Sequence, residues 1–165
     1  MPKLRDEAPI KVDLILPECI DKVVSFIPVL SSIPAKDIAC WPEAKERDDG
    51  VLVLGGLEPS YHPSVIALRQ SFNENHFVQP FDWVDWQPTA EKMFTHPNRM
   101  SKATLKTCIK LITLHVRKDR FVGGHFGEMV RCGHITAILR RLAELREPLA
   151  QMASDRNEGF HEVEG

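Results

Sequence analysis

The segment HVRKDRFVGGH, residues 115–125, holds the densest set of side chains able to do chemistry. Arg117 and Arg120 carry planar guanidinium forks suited to phosphate or carboxylate. Gly123-Gly124 ahead of a helix lets backbone N–H groups approach an anion at the helix start. Arg117, Arg120, Gly124 and His125 therefore read as an anion site, with Asp119 orienting an arginine. The competing reading pairs the same arginines with Asp119 and Asp82 and makes the segment a locked helix junction.

Other chemistries find less support. His115 and Asp119 share a helical face, with His125 and His134 near in sequence, but no HExxH, HxxxH or paired Cys/His spacing is present,. No metal and no cofactor are expected. Cys108 falls on an apolar stripe, where burial makes a thiol inert. Glu128 lies three residues from His125, a spacing compatible with an acid/base pair but common by chance. No GxSxG, Walker loop or GxGxxG occurs,. No residue is assigned a catalytic role.

FDWVDW, residues 81–86, packs two tryptophans and a phenylalanine into six positions. Such a string is either an aromatic platform for a ligand or base, or a core anchor. The second reading makes Asp82, Trp83 and Trp86 structural supports, together with Asp119, Phe121 and Gly133. Residues 99–146 carry eleven positive and three negative side chains, a net of +8, against −10 for the remainder. That basic half, with Lys106 and Lys110 beside the arginines, points to an acidic protein or other anion as partner. Residues 124–145 also have the outline of a helix-turn-helix. Nucleic acid is thus the alternative partner, with hydrolysis by a His/Asp/Glu cluster as its enzymatic extension.

The elements that must position these groups follow from periodicity. Pro17 opens a helix carrying Ile20, Val23, Val24 and Ile27, and Pro28 kinks or ends it. Ile38–Trp41 and Val51–Leu54 are apolar runs around PEAKERDDG and predict a hairpin, with a weak third strand near Phe77-Val78. Residues 63–75 form a helix with Val65, Leu68 and Phe72 on one face. Asp85 is the expected N-cap of the next helix, which puts Pro88 at its third position. Ser101 is the expected cap of the clearest helix, whose stripe is Leu105, Cys108, Ile109, Ile112 and Val116. A short helix to Cys132, a turn at Gly133 and a last helix with Ile135, Ile138, Leu139, Leu142 and Leu145 complete the pattern.

The predicted class is α+β: a mainly helical single domain of about six helices with a small two- or three-stranded antiparallel β element. Residues 1–16 read as an N-terminal arm, 17–148 as the globular domain and 149–165 as a polar, acidic, mobile tail. A chain of 165 residues is long enough for one well-buried core,. No apolar run has signal-peptide or membrane-span length, so the four cysteines are expected reduced, in cytoplasm, with no membrane partner,. Oligomeric state leaves no mark on the sequence.

FDWVDW, HVRKDRFVGGH and CGHITAILRRLAEL resemble, in that order, the FDWxxW, RxDRFxxG and GxxxxILxRL stretches of a bacterial family of uncharacterised proteins, a domain of unknown function. The resemblance spans roughly residues 20–146. The matching positions are Asp82, Trp83, Trp86, Arg117, Asp119, Arg120, Phe121, Gly124, Gly133, Leu139 and Leu142. It implies a bacterial source and a compact domain rather than an activity. The family carries an acidic residue where Gly123 stands, which counts against catalysis in this chain.

Overall fold

The computed structural model describes residues 9–53, 55, 56 and 58–161, the side chains of 158–161 excepted. Residues 1–8 of the expected arm, Leu54 of the second apolar run and residues 162–165 of the tail lie outside the described residues. The described residues form eight α-helices, two 3-10 turns and two small antiparallel sheets, a mainly helical α+β domain.

α6 (Leu105–Lys118) is the centre of the molecule. Its apolar stripe widens to Cys108, Ile109, Leu111, Ile112, Thr113, Leu114, His115 and Val116, all buried. A helix enclosed on nearly every side is a core helix, and each fully buried Ile or Leu contributes about 1.5–3 kcal/mol. α1 (Pro17–Val24) and α2 (Ile27–Ser32) pack against α8 (His134–His161), with Ile20, Val23 and Leu30 facing the core shared with Ile135, Ile138, Leu139 and Leu142. α4 (Pro63–Glu74) adds Val65, Leu68 and Phe72. α5 (Trp83–Thr95) lies beside α6, and α7 (His125–Arg131) packs on both α6 and α8.

Several local elements differ from the sequence expectation. The two apolar runs do not pair with each other. β1 (Ala39–Cys40) pairs with β4 (Ser60–Tyr61), and β2 (Lys45–Glu46) pairs with β3 (Leu52–Val53). Strands of two residues have no period to read, so partner choice rests on what Tyr61 touches beyond the sheet. Pro28 does not kink one helix; α1 stops at Val24, and Pro28 sits in the first turn of α2, where its missing N–H costs nothing,. Asp82, not Asp85, caps α5 by accepting the Asp85 N–H at 3.2 Å. Pro88 therefore lies inside the helix, and the Gln87 side chain donates at 3.5 Å to the Val84 carbonyl, the acceptor that Pro88 leaves free,. Ser101 belongs to a 3-10 turn, Pro97–Lys102, and donates back to the Asn98 carbonyl. Thr104 caps α6 instead, accepting the Thr107 N–H. α8 continues through Pro148 to His161, so the described part of the expected tail is helix.

Residues 77–79 are irregular rather than a third strand, and their hydrogen bonds explain why. The buried Thr113 hydroxyl donates to the Phe77 carbonyl at 3.1 Å and accepts the Gln79 N–H at 3.0 Å. The Gln79 side chain then accepts the Lys11 N–H at 2.7 Å and donates to the Lys11 carbonyl at 3.0 Å. The described part of the N-terminal segment is held this way, and Ile15 beyond it is in the core.

Thr113→Val keeps the shape of the side chain and removes both of its hydrogen bonds. Stranding a buried carbonyl and a buried N–H should cost about 2 kcal/mol, read as a lower urea midpoint with unchanged m-value. A midpoint equal to that of the parent chain would mean that residues 77–79 are held by something else.

Candidate functional site

Asp119, 8% exposed, follows directly on α6 as its C-cap and is the most heavily bonded side chain of the segment 115–125. Its Oδ1 accepts the Tyr61 hydroxyl at 2.5 Å and the Phe126 N–H at 2.9 Å, and its Oδ2 accepts Arg69 Nη1 at 2.9 Å. The Gly127 N–H donates to the Tyr61 oxygen at 3.3 Å. Burial, followed by the hydrogen bond to Asp119, raises the Tyr61 phenol well above its ordinary range,. Gly127 is required here, because a Cβ at that position would lie 2.7 Å from Tyr61 Cε1.

At the start of α7, where the sequence suggests an anion site, most of the donors have partners within the protein. The His125 N–H donates to the Val122 carbonyl, the Phe126 N–H to Asp119, the Gly127 N–H to Tyr61 and the Glu128 N–H to the Gly124 carbonyl. The first three amides of α7 are thus used by the protein itself, and Glu128 makes the first regular bond of the helix,. Gly124, at φ +86°, is covered by the Trp41 indole. His125 turns inward, its Nε2 2.9 Å from His115 Nδ1. Arg117 is half-buried and Arg120 exposed, and neither pairs with Asp119 or Asp82. The arginine that Asp119 holds is Arg69. Sequence reasoning missed it, although its position between Val65 and Phe72 places a lone cation beside the buried face of α4.

His115, His125 and His134 form a buried cluster against Phe94. The His115 ring lies 5.1 Å from that of His125 and 5.0 Å from that of His134, centroid to centroid. Phe94 packs edge-on to His134 at 5.5 Å. His115 Nε2 and His134 Nε2 are buried without a hydrogen-bond partner. Burial, then the neighbouring histidines, holds His115 well below the usual imidazole range. Burial is also the main cause that brings His134 and His125 down to about 4. Among the described residues no group of three or more His, Cys, Asp or Glu side chains is arranged to hold a metal ion. Cys108 is fully buried and its thiol is pushed up to about 12, which leaves it protonated,.

Arg117, Lys118, Arg120 and Arg140 make no ion pair among the described residues, and the other seven positive charges of the basic half divide into two groups. Those near and on α8 turn back onto the protein: Arg131 pairs with Glu128, Arg141 with Glu144 and the Ala103 carbonyl, and Arg146 with Asp21 and Glu147. With Ile135, Ile138, Leu139 and Leu142 in the core, the first half of α8 is a packing helix and not a free recognition helix. The second group surrounds an open cleft of about 450 Å³ between α5, the 3-10 turn and α6. Its lining is Trp86, Thr89 and Met93 on one wall, Lys106, Thr107 and Lys110 on the other, with Arg99, Lys102 and Ala103 at the end. No carboxylate lines it, and none of its four cations makes an ion pair among the described residues.

The aromatic supports flank this cleft. Lys110 Nζ sits 5.3 Å from the Phe81 ring centroid and 5.5 Å from that of Trp86, a cation–π position that aims the ammonium,. Trp83 packs on Phe121 at 5.9 Å, tying the start of α5 to the turn after α6, although Phe121 stays 78% exposed. Gly133, at φ +85°, makes the left-handed turn between α7 and α8,. Lys106 and Lys110 thus share a site with Trp86, whereas Arg117, Arg120, Gly124 and His125 lie outside its lining.

Two outcomes follow. Asp119→Asn leaves the Arg69 guanidinium without its counter-charge and should lower stability by about 3 kcal/mol, a drop in Tm of roughly 6–12 °C; an unchanged melting curve would reject the central role of that carboxylate. The histidine cluster makes stability depend on pH. Its folded values lie below the unfolded 6.5, so the unfolded chain binds more protons,. Full stability is expected above about pH 6.5, with progressive loss toward pH 4. His134→Gln should flatten that decline in urea titrations run across the window, and an equal slope in both proteins would contradict it.

The chain belongs to a family of unknown function (DUF6508), whose model matches residues 15–148. No curated protein and no solved structure matches it.

Proposed function

We propose that this DUF6508 chain is a non-enzymatic binding module that docks an acidic protein segment or other anion in the α5–α6 cleft. The observation that carries the reading is the set of four cations, Arg99, Lys102, Lys106 and Lys110, around one open cleft with no carboxylate in its lining. Cations gathered without counter-charges repel one another, and a bound anion relieves that repulsion. Side chains that served only solubility would be interspersed with acids, as they are around Arg131, Arg141 and Arg146.

The contact set differs from the one the sequence suggested. Lys106 and Lys110 stay in it, and Arg99 and Lys102 join them. Gly124 and His125 are engaged internally, and Arg117 and Arg120 lie outside the cleft lining. A binding role also suits the chemistry of the interior: the histidines are buried and neutral, and the buried carboxylate is fully engaged by its own donors. In this reading the chain is a bacterial cytoplasmic protein, and no helix of the described residues is long and apolar enough to cross a membrane.

Polyglutamate retention on a column tests the proposal. The parent chain should bind at low salt and elute as ionic strength rises, because exposed charges are screened. Lys106→Glu with Lys110→Glu should abolish retention, whereas Arg140→Glu, exposed on α8, and Arg117→Ala with Arg120→Ala should leave most of it. Equal retention of the double glutamate variant would sink the cleft as the docking site.

A further inference from the structure

We infer that the anion taken by this cleft is a nucleotide unit, its phosphates along the lysine row and its base against Trp86; the inference rests on the docking reading above. Lys106 and Lys110 lie one helical turn apart on the α6 wall, and Lys102, four residues earlier in the 3-10 turn, extends the row at the end of the cleft. Between Lys106 and Lys110 the helix rises about 6 Å. Ammonium groups are compact point charges on flexible stems, and a spaced row of them suits successive phosphates. A single phosphate or carboxylate is better held by paired arginine forks, and the cleft has only one arginine, Arg99,.

The second observation is the aromatic surface placed among these charges. Trp86 is half-buried in the cleft wall, and Lys110 stands over its ring and that of Phe81. Trp86, Thr89 and Met93, at i, i+3 and i+7, turn one face of α5 toward the lysines,. An acidic peptide offers charge but no obligatory flat ring. A nucleotide offers both, and stacking on an aromatic next to a cationic row is how bases are held without sequence preference. The volume of about 450 Å³ suits a ligand of that size,. Free nucleotides and single-stranded nucleic acid present the same unit.

Calorimetric titration of the whole chain with ATP, with inorganic tripolyphosphate and with a single-stranded oligonucleotide tests the inference. Tripolyphosphate carries at least as much negative charge as ATP, so a preference for ATP requires the base. ATP should bind about tenfold tighter or more at equal salt. Trp86→Leu should erase that margin while leaving tripolyphosphate affinity nearly unchanged, and Trp86→Phe, which keeps a ring, should retain much of it. Lys106→Glu with Lys110→Glu should lose every ligand. An oligonucleotide binding tighter than ATP identifies a strand as the source of the unit, and one binding more weakly identifies the free nucleotide. Equal affinity for ATP and tripolyphosphate, or polyglutamate binding with neither of them, overturns the nucleotide inference and leaves the docking reading standing. No binding of polyglutamate or of any phosphate overturns both.

Discussion

One carboxylate, almost removed from water at the end of the central helix, constrains how the rest of the chain is arranged. Burying a charge costs several kcal/mol unless donors replace its hydration. Asp119 obtains them from three separate parts of the sequence: Tyr61 on β4, Arg69 on α4 and the Phe126 amide at the start of α7. The position of β4 therefore depends on a side chain 58 residues away. The pairing of β1 with β4, the inward path of α7 and the need for glycine at 127 all follow from bringing these donors together. At the start of α7 the Phe126 amide is taken by the protein's own anion.

That internal use of charge explains why the two ends of the basic half behave differently. Along α8, Arg141 and Arg146 have acids within one helical turn or on α1, and they close onto them. In the cleft between α5 and α6 the lysines lie among Trp86, Thr89, Met93 and Thr107, and Asp82 and Asp85 line the adjoining hollow beside Lys110 without forming an ion pair with it. Lys110 obtains π faces instead of a carboxylate. Four unpaired cations thus gather around one cleft although the net charge of the chain is only −2.

The helices were legible because their signals are local. The stripe of Leu105, Cys108, Ile109, Ile112 and Val116 marks α6 from the sequence alone, and Val65, Leu68 and Phe72 mark α4. Caps were less legible where two candidates compete within a turn. Asp82 prevails over Asp85, and Thr104 over Ser101, because a residue that ends in helical or 3-10 geometry has no free helix start left to cap. The candidate site was half legible. Lys106, Lys110 and Trp86 could be singled out, but that they face one cleft depends on α5 lying along α6, a packing choice with no sequence period. Arg69 went unread because its partner lies fifty residues on.

The relay from Lys11 through Gln79 to Thr113 bears on how the chain reaches this form. Its links span 68 and 34 residues, and they join the leading segment, an irregular bend and the central helix in one ladder of hydrogen bonds. None of these links is strong in isolation. The buried groups are satisfied only together, since each would otherwise remain desolvated and unmatched. Such coupling favours assembly as a single cooperative step over stepwise accretion from either terminus.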